Sequence, residues 1–233
     1  MAVVFSLFAR ELRGYFVSPI AYVVIIVFLL ITGWFFFTPF FLLDQSSLRA
    51  FFSLLPFVFA LVVPAVTMRL FAEEKSVGSI ETLLTMPVTI GQVVAGKFLA
   101  ASAFIAAMLL PTLAYPTTAA LLGELDIGPV VGGYVGAVLL GAAYAAIGLF
   151  CSSLTHNQII AFILAAAICF GLTTLDKVLF FLPQTILGVV QFLGADTHFQ
   201  NFAKGVIDSR DLLYFGSLCF TGVYGACLAT EPR

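Results

Sequence analysis

Long stretches without a single charge are what most restrict this chain. Residues 51–68 and 98–122 contain no Asp, Glu, Lys or Arg, and residues 20–43, 130–151, 158–175 and 212–229 read the same way. A helix needs about 20 apolar residues to cross a hydrocarbon core of about 30 Å. Backbone exposed to lipid must satisfy its own hydrogen bonds, and a run of this length does so as a helix. Composition agrees: 9% of residues are charged and 62% hydrophobic, with a mean hydropathy of +1.14, where a soluble surface needs roughly a quarter charged. The expected fold is therefore all-α, an integral membrane protein of six transmembrane helices in a single domain, residues 1–233. The first run exceeds the roughly 7–15 apolar residues of a signal peptide and lacks a small-residue cleavage site, so it reads as a retained span.

Ahead of it, residues 3–16 place Val4, Phe8, Leu12 and Tyr15 on one helical face and Ser6, Arg10 and Arg13 on another. Such a helix, within residues 1–18, lies along the interface. Lys and Arg near the span ends favour a cytoplasmic N-terminus: Arg10, Arg13, Arg69, Lys75, Lys97 and Arg233 fall inside, and Arg49, Lys177, Lys204 and Arg210 outside. Both termini are then cytoplasmic. The long connection, residues 175–211, becomes an extracytoplasmic or re-entrant segment. It holds an apolar run, 184–194, begun by Pro183, and then Phe199, Phe202 and Val206 at helical spacing, with Asp196 or Thr197 as the cap. Two short helices result, serving either as a structural plug or as a gate. In the fourth span Gly132, Gly136 and Gly141 form a small-residue stripe that lets another helix approach, with packing inside the chain the expected use.

Several chemistries are missing. The four cysteines, Cys151, Cys169, Cys219 and Cys227, lie in apolar runs without CxxC spacing. Gly91 to Lys97 reads G-x-x-x-x-G-K, but Phe98 stands where a Ser or Thr should hold Mg²⁺, and no strand precedes it. Lys97 is expected instead as an interfacial anchor and Gly96 as a close-packing position. Ser152 and His156 lack an orienting acid, so a polar turn is expected there rather than a hydrolase. His198 reads as a solvated loop residue, because no second ligand lies at metal-binding spacing. No span carries an internal charge of the kind that marks ion pathways. No catalytic, cofactor-binding or metal-binding residue is expected.

The one long polar stretch, residues 68–97, holds Arg69, Glu73, Glu74, Lys75, Glu81 and Lys97. Ser79 to Met86 lies between Gly78 and Pro87, which bound a short helix. Ser79 is its expected N-cap, Glu81 complements the helix dipole, and Ile80, Leu83 and Leu84 need an apolar partner.

This pattern, Glu73-Glu74, then Gly78-Ser79-Ile80-Glu81-Thr82-Leu83-Leu84, Pro87-Val88-Thr89 and Val94-Ala95-Gly96-Lys97, resembles the ABC-2 type permease family. The chain is most similar to the gliding-motility type permease subunit. The resemblance implies a cytoplasmic coupling segment, residues 69–97, whose Glu73, Glu74, Lys75, Gly78, Ser79, Ile80, Glu81, Thr82, Leu83 and Leu84 contact an ATPase subunit. It further implies two ATPase copies, a second permease subunit making a homodimer or heterodimer, and room for an extracytoplasmic accessory protein. ATP and Mg would be bound by the partner ATPase and not by this chain, which is then no enzyme itself. The location would be the bacterial inner membrane. A membrane scaffold that anchors cytoplasmic and extracytoplasmic partners without transport is the alternative.

Overall fold

The structure, a computed structural model, describes residues 2–42, 48–78, 88–123, 125–178 and 193–231. These residues are helical almost throughout: α1 (Ala2–Val17), α2 (Pro19–Leu42), α3 (Arg49–Thr67), α4 (Arg69–Val77), α5 (Ile90–Leu109), a 3₁₀ turn (Leu110–Leu113), α6 (Ala114–Leu122), α7 (Ile127–Leu154), α8 (Gln158–Val178), α9 (Ala195–Ala203) and α10 (Ser209–Thr230). Six stretches are long and apolar enough to span a bilayer, and the chain is an all-α, multi-pass membrane protein.

Two spans outrun their expected limits the most. The second covers Arg49–Val77, 29 residues, and the third Ile90–Leu122, 33 residues. At 1.5 Å per residue the second is about 44 Å long, roughly 14 Å more than the hydrocarbon core. Hydropathy sees only the part in contact with lipid, whereas helical hydrogen bonding continues through the charges beyond it. α4 and the first turns of α5 are these overhangs. Gly78 ends α4 with φ 74°, a left-handed C-cap that a Cβ would strain, and its N–H bonds Lys75 O.

Prolines set the shape of the third span. Pro111 cannot donate into the helix, and the chain tightens into 3₁₀ there. Pro116 would be the natural partner of the Thr112 carbonyl but has no N–H. The Tyr134 hydroxyl from α7 donates to that carbonyl instead, at 2.8 Å.

α7 is the central element, with 72% of its apolar window buried, against 22% for each of α2, α8 and α10. The three outer spans turn their remaining apolar surface outward, as lipid contact requires. Small residues let α7 take close neighbours on several sides. A Cβ on Gly132 would fall 2.3 Å from Phe202 O, one on Gly136 2.6 Å from Phe202 Cβ, and one on Gly141 2.6 Å from Ile105 Cγ2. Gly133 faces Phe52 and Gly148 faces Thr67 in the same way. The stripe therefore packs α7 against α3, α5 and α9 within the chain. At one end Phe36, Phe51, Phe52, Tyr115 and Tyr134 gather in stacked and edge-on contacts. The opposite end holds α1, α4 and the turn at Thr155–Asn157.

Of the expected outer segment, α9 is the described helix. Its N-cap is Gly194 and not Asp196 or Thr197. The reason is that Asp176, at the end of α8, already accepts the Thr197 N–H at 2.8 Å, so the cap interaction comes from another span. Val206 lies beyond its end. Residues 179–192, with the run begun by Pro183, fall outside the described residues.

Candidate functional site

The charged overhangs converge with α1. Val4, Leu7, Phe8, Glu11, Leu12 and Tyr15 recur at helical spacing and form the half-buried face of α1, while Arg10 and Arg13 stay exposed. That face lies on the start of α5: a Cβ on Gly96 would sit 3.0 Å from Leu7 Cβ and 3.5 Å from Phe8 N. Glu11 is thereby carried onto the packed side of α1. Lys97, one residue on, has a side chain only 3% exposed, and its ammonium donates to Glu74 Oε1 at 2.7 Å and Glu11 Oε1 at 3.3 Å. The Phe71 ring centroid is 5.3 Å away. Lys97 is therefore not the water-seeking interfacial anchor expected. α1 covers it, and a buried ammonium is tolerable only with charged partners.

Tyr15 seals the same junction. Its ring stacks on Phe104 of α5 at 4.9 Å, its hydroxyl reaches Val66 O of α3 at 3.4 Å, and burial pushes the phenol well above its ordinary range.

A second joint ties α4 to α7. The N-terminus of α4 has no capping side chain of its own. Ser152 supplies one from α7: its Oγ accepts the N–H of Phe71 and of Ala72, each at 3.0 Å, and donates to Met68 O at 2.8 Å. Two of the donors that a helix start leaves unpaired are satisfied in this way. Lys75 donates to Ser153 O on the same helix. Ser152 is thus a buried structural cap rather than part of a polar turn. The turn that does form, Thr155 to Asn157, carries an exposed His156 beyond the end of α7. The helix ends at Leu154, so the two residues do not share a helical face, and no nucleophile–base pair arises.

Of the expected contact residues, Glu73, Glu74 and Lys75 lie on α4 and Gly78 caps it. Glu73 pairs with Arg69 one turn earlier at 3.1 Å, Glu74 with Lys97, and Lys75 with α7. Ser79, Ile80, Glu81, Thr82, Leu83 and Leu84, with the helix expected over them, fall outside the described residues. Sequence reasoning did not find Glu11 or Ser152 as partners of this segment. Glu11 had a signal: a carboxylate on the same helical face as Val4, Phe8, Leu12 and Tyr15 needs a buried partner.

At the other end, His198 is buried rather than solvated. Its Nδ1 lies 2.6 Å from Asp211 Oδ1, Asn201 donates to Asp211 Oδ2 at 3.1 Å, and the ring stacks on Tyr214 at 4.1 Å. α9 needs this because its inner face, Phe199 and Phe202, packs into the core and draws His198 in with it. Asp211 is accordingly a buried carboxyl in the first turn of α10, one residue ahead of the uncharged run 212–229. Burial raises the Asp196 carboxyl, against the Gln200 bond and the Lys177 charge that lower it. Among the described residues no group of three or more His, Cys, Asp or Glu could hold a metal ion.

Residues 44–187 match the family model described as ABC-2 family transporter protein. That is more than half of the chain, and the chain belongs to this family. No curated protein matches it.

Proposed function

We propose that this ABC-2 family member is the permease subunit of an ATP-driven transporter and couples ATP hydrolysis on a separate ATPase subunit to rearrangement of its own spans. Family membership supports a membrane subunit with an ABC ATPase as partner. The observation that carries the coupling is the double anchoring of α4, to α5 and α1 through Glu74–Lys97–Glu11 and to α7 through Ser152. The connection after Gly78 thus departs from a helix held to three others.

In this reading Ile80, Leu83 and Leu84 seat in an apolar groove of the ATPase, with Glu73 and Glu81 meeting basic residues at its rim. Glu74 and Lys75 hold the segment from behind. Two permease copies and two ATPases assemble in a bacterial inner membrane, with both termini on the ATPase side. ATP and Mg are held by the ATPase. The gliding-motility type is the subfamily we favour, on the 77–89 and 199–215 stretches; it fixes no motility role. Spans lacking central charges suit apolar or amphiphilic cargo, or force transmission to an extracytoplasmic accessory protein.

The test is purification from the native membrane in mild detergent, with mass spectrometry of everything at near-equal amount. An ATPase at one copy per permease, released by Leu83→Asp with Leu84→Asp, is the expected result, since seating would bury an unpaired charge. Retention of the ATPase in that variant refutes the contact. A complex lacking any nucleotide-binding subunit would favour the scaffold.

A further inference from the structure

A cavity of about 410 Å³ lies where α1, α2, α3, α4 and α5 meet. Its volume is within the range of about 300–1,000 Å³ typical of small-molecule sites. The two sides differ in chemistry. Ala21, Val24, Val66 and Phe104 form an apolar wall; Glu11, Arg69, Glu73, Glu74 and Lys97 form a charged one. Ile20 and Val77, both exposed, line it too. Ile20 begins the outward apolar surface of α2, so the apolar side is continuous with the lipid-facing surface.

We propose that this cavity binds an aminophospholipid, with the headgroup on the charged wall and an acyl chain running along the apolar wall past Ile20. The charges select the headgroup. Three carboxylates against two cations leave the wall net negative, which disfavours a purely anionic lipid. Lys97 is used up by Glu11 and Glu74. Arg69 is not: among the described residues it hydrogen-bonds only through Nε, to Glu73, and its terminal nitrogens remain as donors for a phosphate. Arg10 bonds Glu11 but does not line the cavity. The second oxygens of Glu73 and Glu11 can accept from a primary ammonium, which a choline headgroup could not offer because it has no N–H.

Gly14 provides a clean obstruction. It lines the cavity, and a Cβ built on it meets nothing within 4 Å. Gly14→Leu therefore starts its side chain in open space at the cavity and takes up part of its volume, and it raises helix propensity in α1. The experiment is a thermal-stability titration of the delipidated full-length chain in detergent, with phosphatidylethanolamine, phosphatidylcholine and phosphatidylglycerol of identical acyl chains. Saturable stabilisation by phosphatidylethanolamine is expected, with the other two binding about ten-fold more weakly, the scale of one lost charge-assisted hydrogen bond. Gly14→Leu and Arg69→Gln should each weaken the phosphatidylethanolamine response by a similar factor. Equal responses to all three lipids would mean generic annular contact and would overturn the proposal, as would an undiminished response in either variant. The inference does not rest on the ATPase reading, and its test needs no nucleotide.

Discussion

Replacing Lys97 with Met removes the ammonium from between two carboxylates while keeping most of the stem that packs beside Phe71. Glu11 Oε1 and Glu74 Oε1 both lie within 3.3 Å of the lost nitrogen. Two unit charges about 6 Å apart repel by about 3 kcal/mol at an effective dielectric of 20. Both side chains keep about a fifth of their exposure, so screening brings that to about 1–2 kcal/mol. Loss of the charge-assisted hydrogen bonds adds roughly 1.5–3 kcal/mol. The sum, about 2.5–5 kcal/mol, matches the 3–5 kcal/mol typical of breaking a fully buried pair. For a chain of this size that corresponds to a fall of roughly 5–20 °C in apparent melting temperature, read as loss of the monodisperse peak after heating in detergent. Glu74→Gln in the Lys97→Met background should restore part of the loss, giving a coupling of about 1 kcal/mol or more in the double-mutant cycle. Strict additivity, or a Lys97→Met protein as stable as the parent, would show that the three charges are not energetically joined.

Ser152→Ala should leave the Phe71 and Ala72 N–H groups buried without a partner, at about 2–3 kcal/mol, and hydrogen exchange should rise in α4 specifically; uniform protection there would count against the cap. Gly136→Leu should sharply reduce folded yield, since its Cβ would lie 2.6 Å from Phe202 Cβ, whereas Gly171→Leu, with nothing within 4 Å, should not; equal yields would mean that the stripe is incidental. His198→Ala should loosen the α9–α10 hairpin by about 1–3 kcal/mol by removing the partner of Asp211 Oδ1, with Asn201 still on Oδ2, and expose residues 204–208 to proteolysis. A cleavage rate unchanged from the parent would remove His198 from the account of that hairpin.

What could be read from the sequence and what could not divides along sequence separation. The spans were legible because each is a local statement about some twenty residues in lipid. The glycine stripe of α7 was legible because its period lies within one helix. The charged junction was not, because Lys97 meets Glu11 across 86 positions and Ser152 caps a helix 81 positions earlier. Taken singly, Lys97 beside an apolar run looks like a residue reaching for water, and only the covering of α1 over Gly96 denies it that. His198 was misread for the same reason: its partner, Asp211, lies 13 positions away and on another helix. Residues 69–78 are the rigid end of the second span, fixed to α5 by an ion pair and to α7 by a hydroxyl. A displacement applied just beyond Gly78 would be passed to α7, the span that touches most of the others, through Ser152 and Lys75, and to α1 through Glu74 and Lys97. Cutting the hydroxyl joint alone should therefore loosen α4 against α7, leaving Lys75 to Ser153 O as their remaining polar tie, while the α1–α5 packing stays intact. The Ser152→Ala and Lys97→Met proteins should accordingly differ in where exchange increases, in α4 alone for the first and in α1 as well for the second.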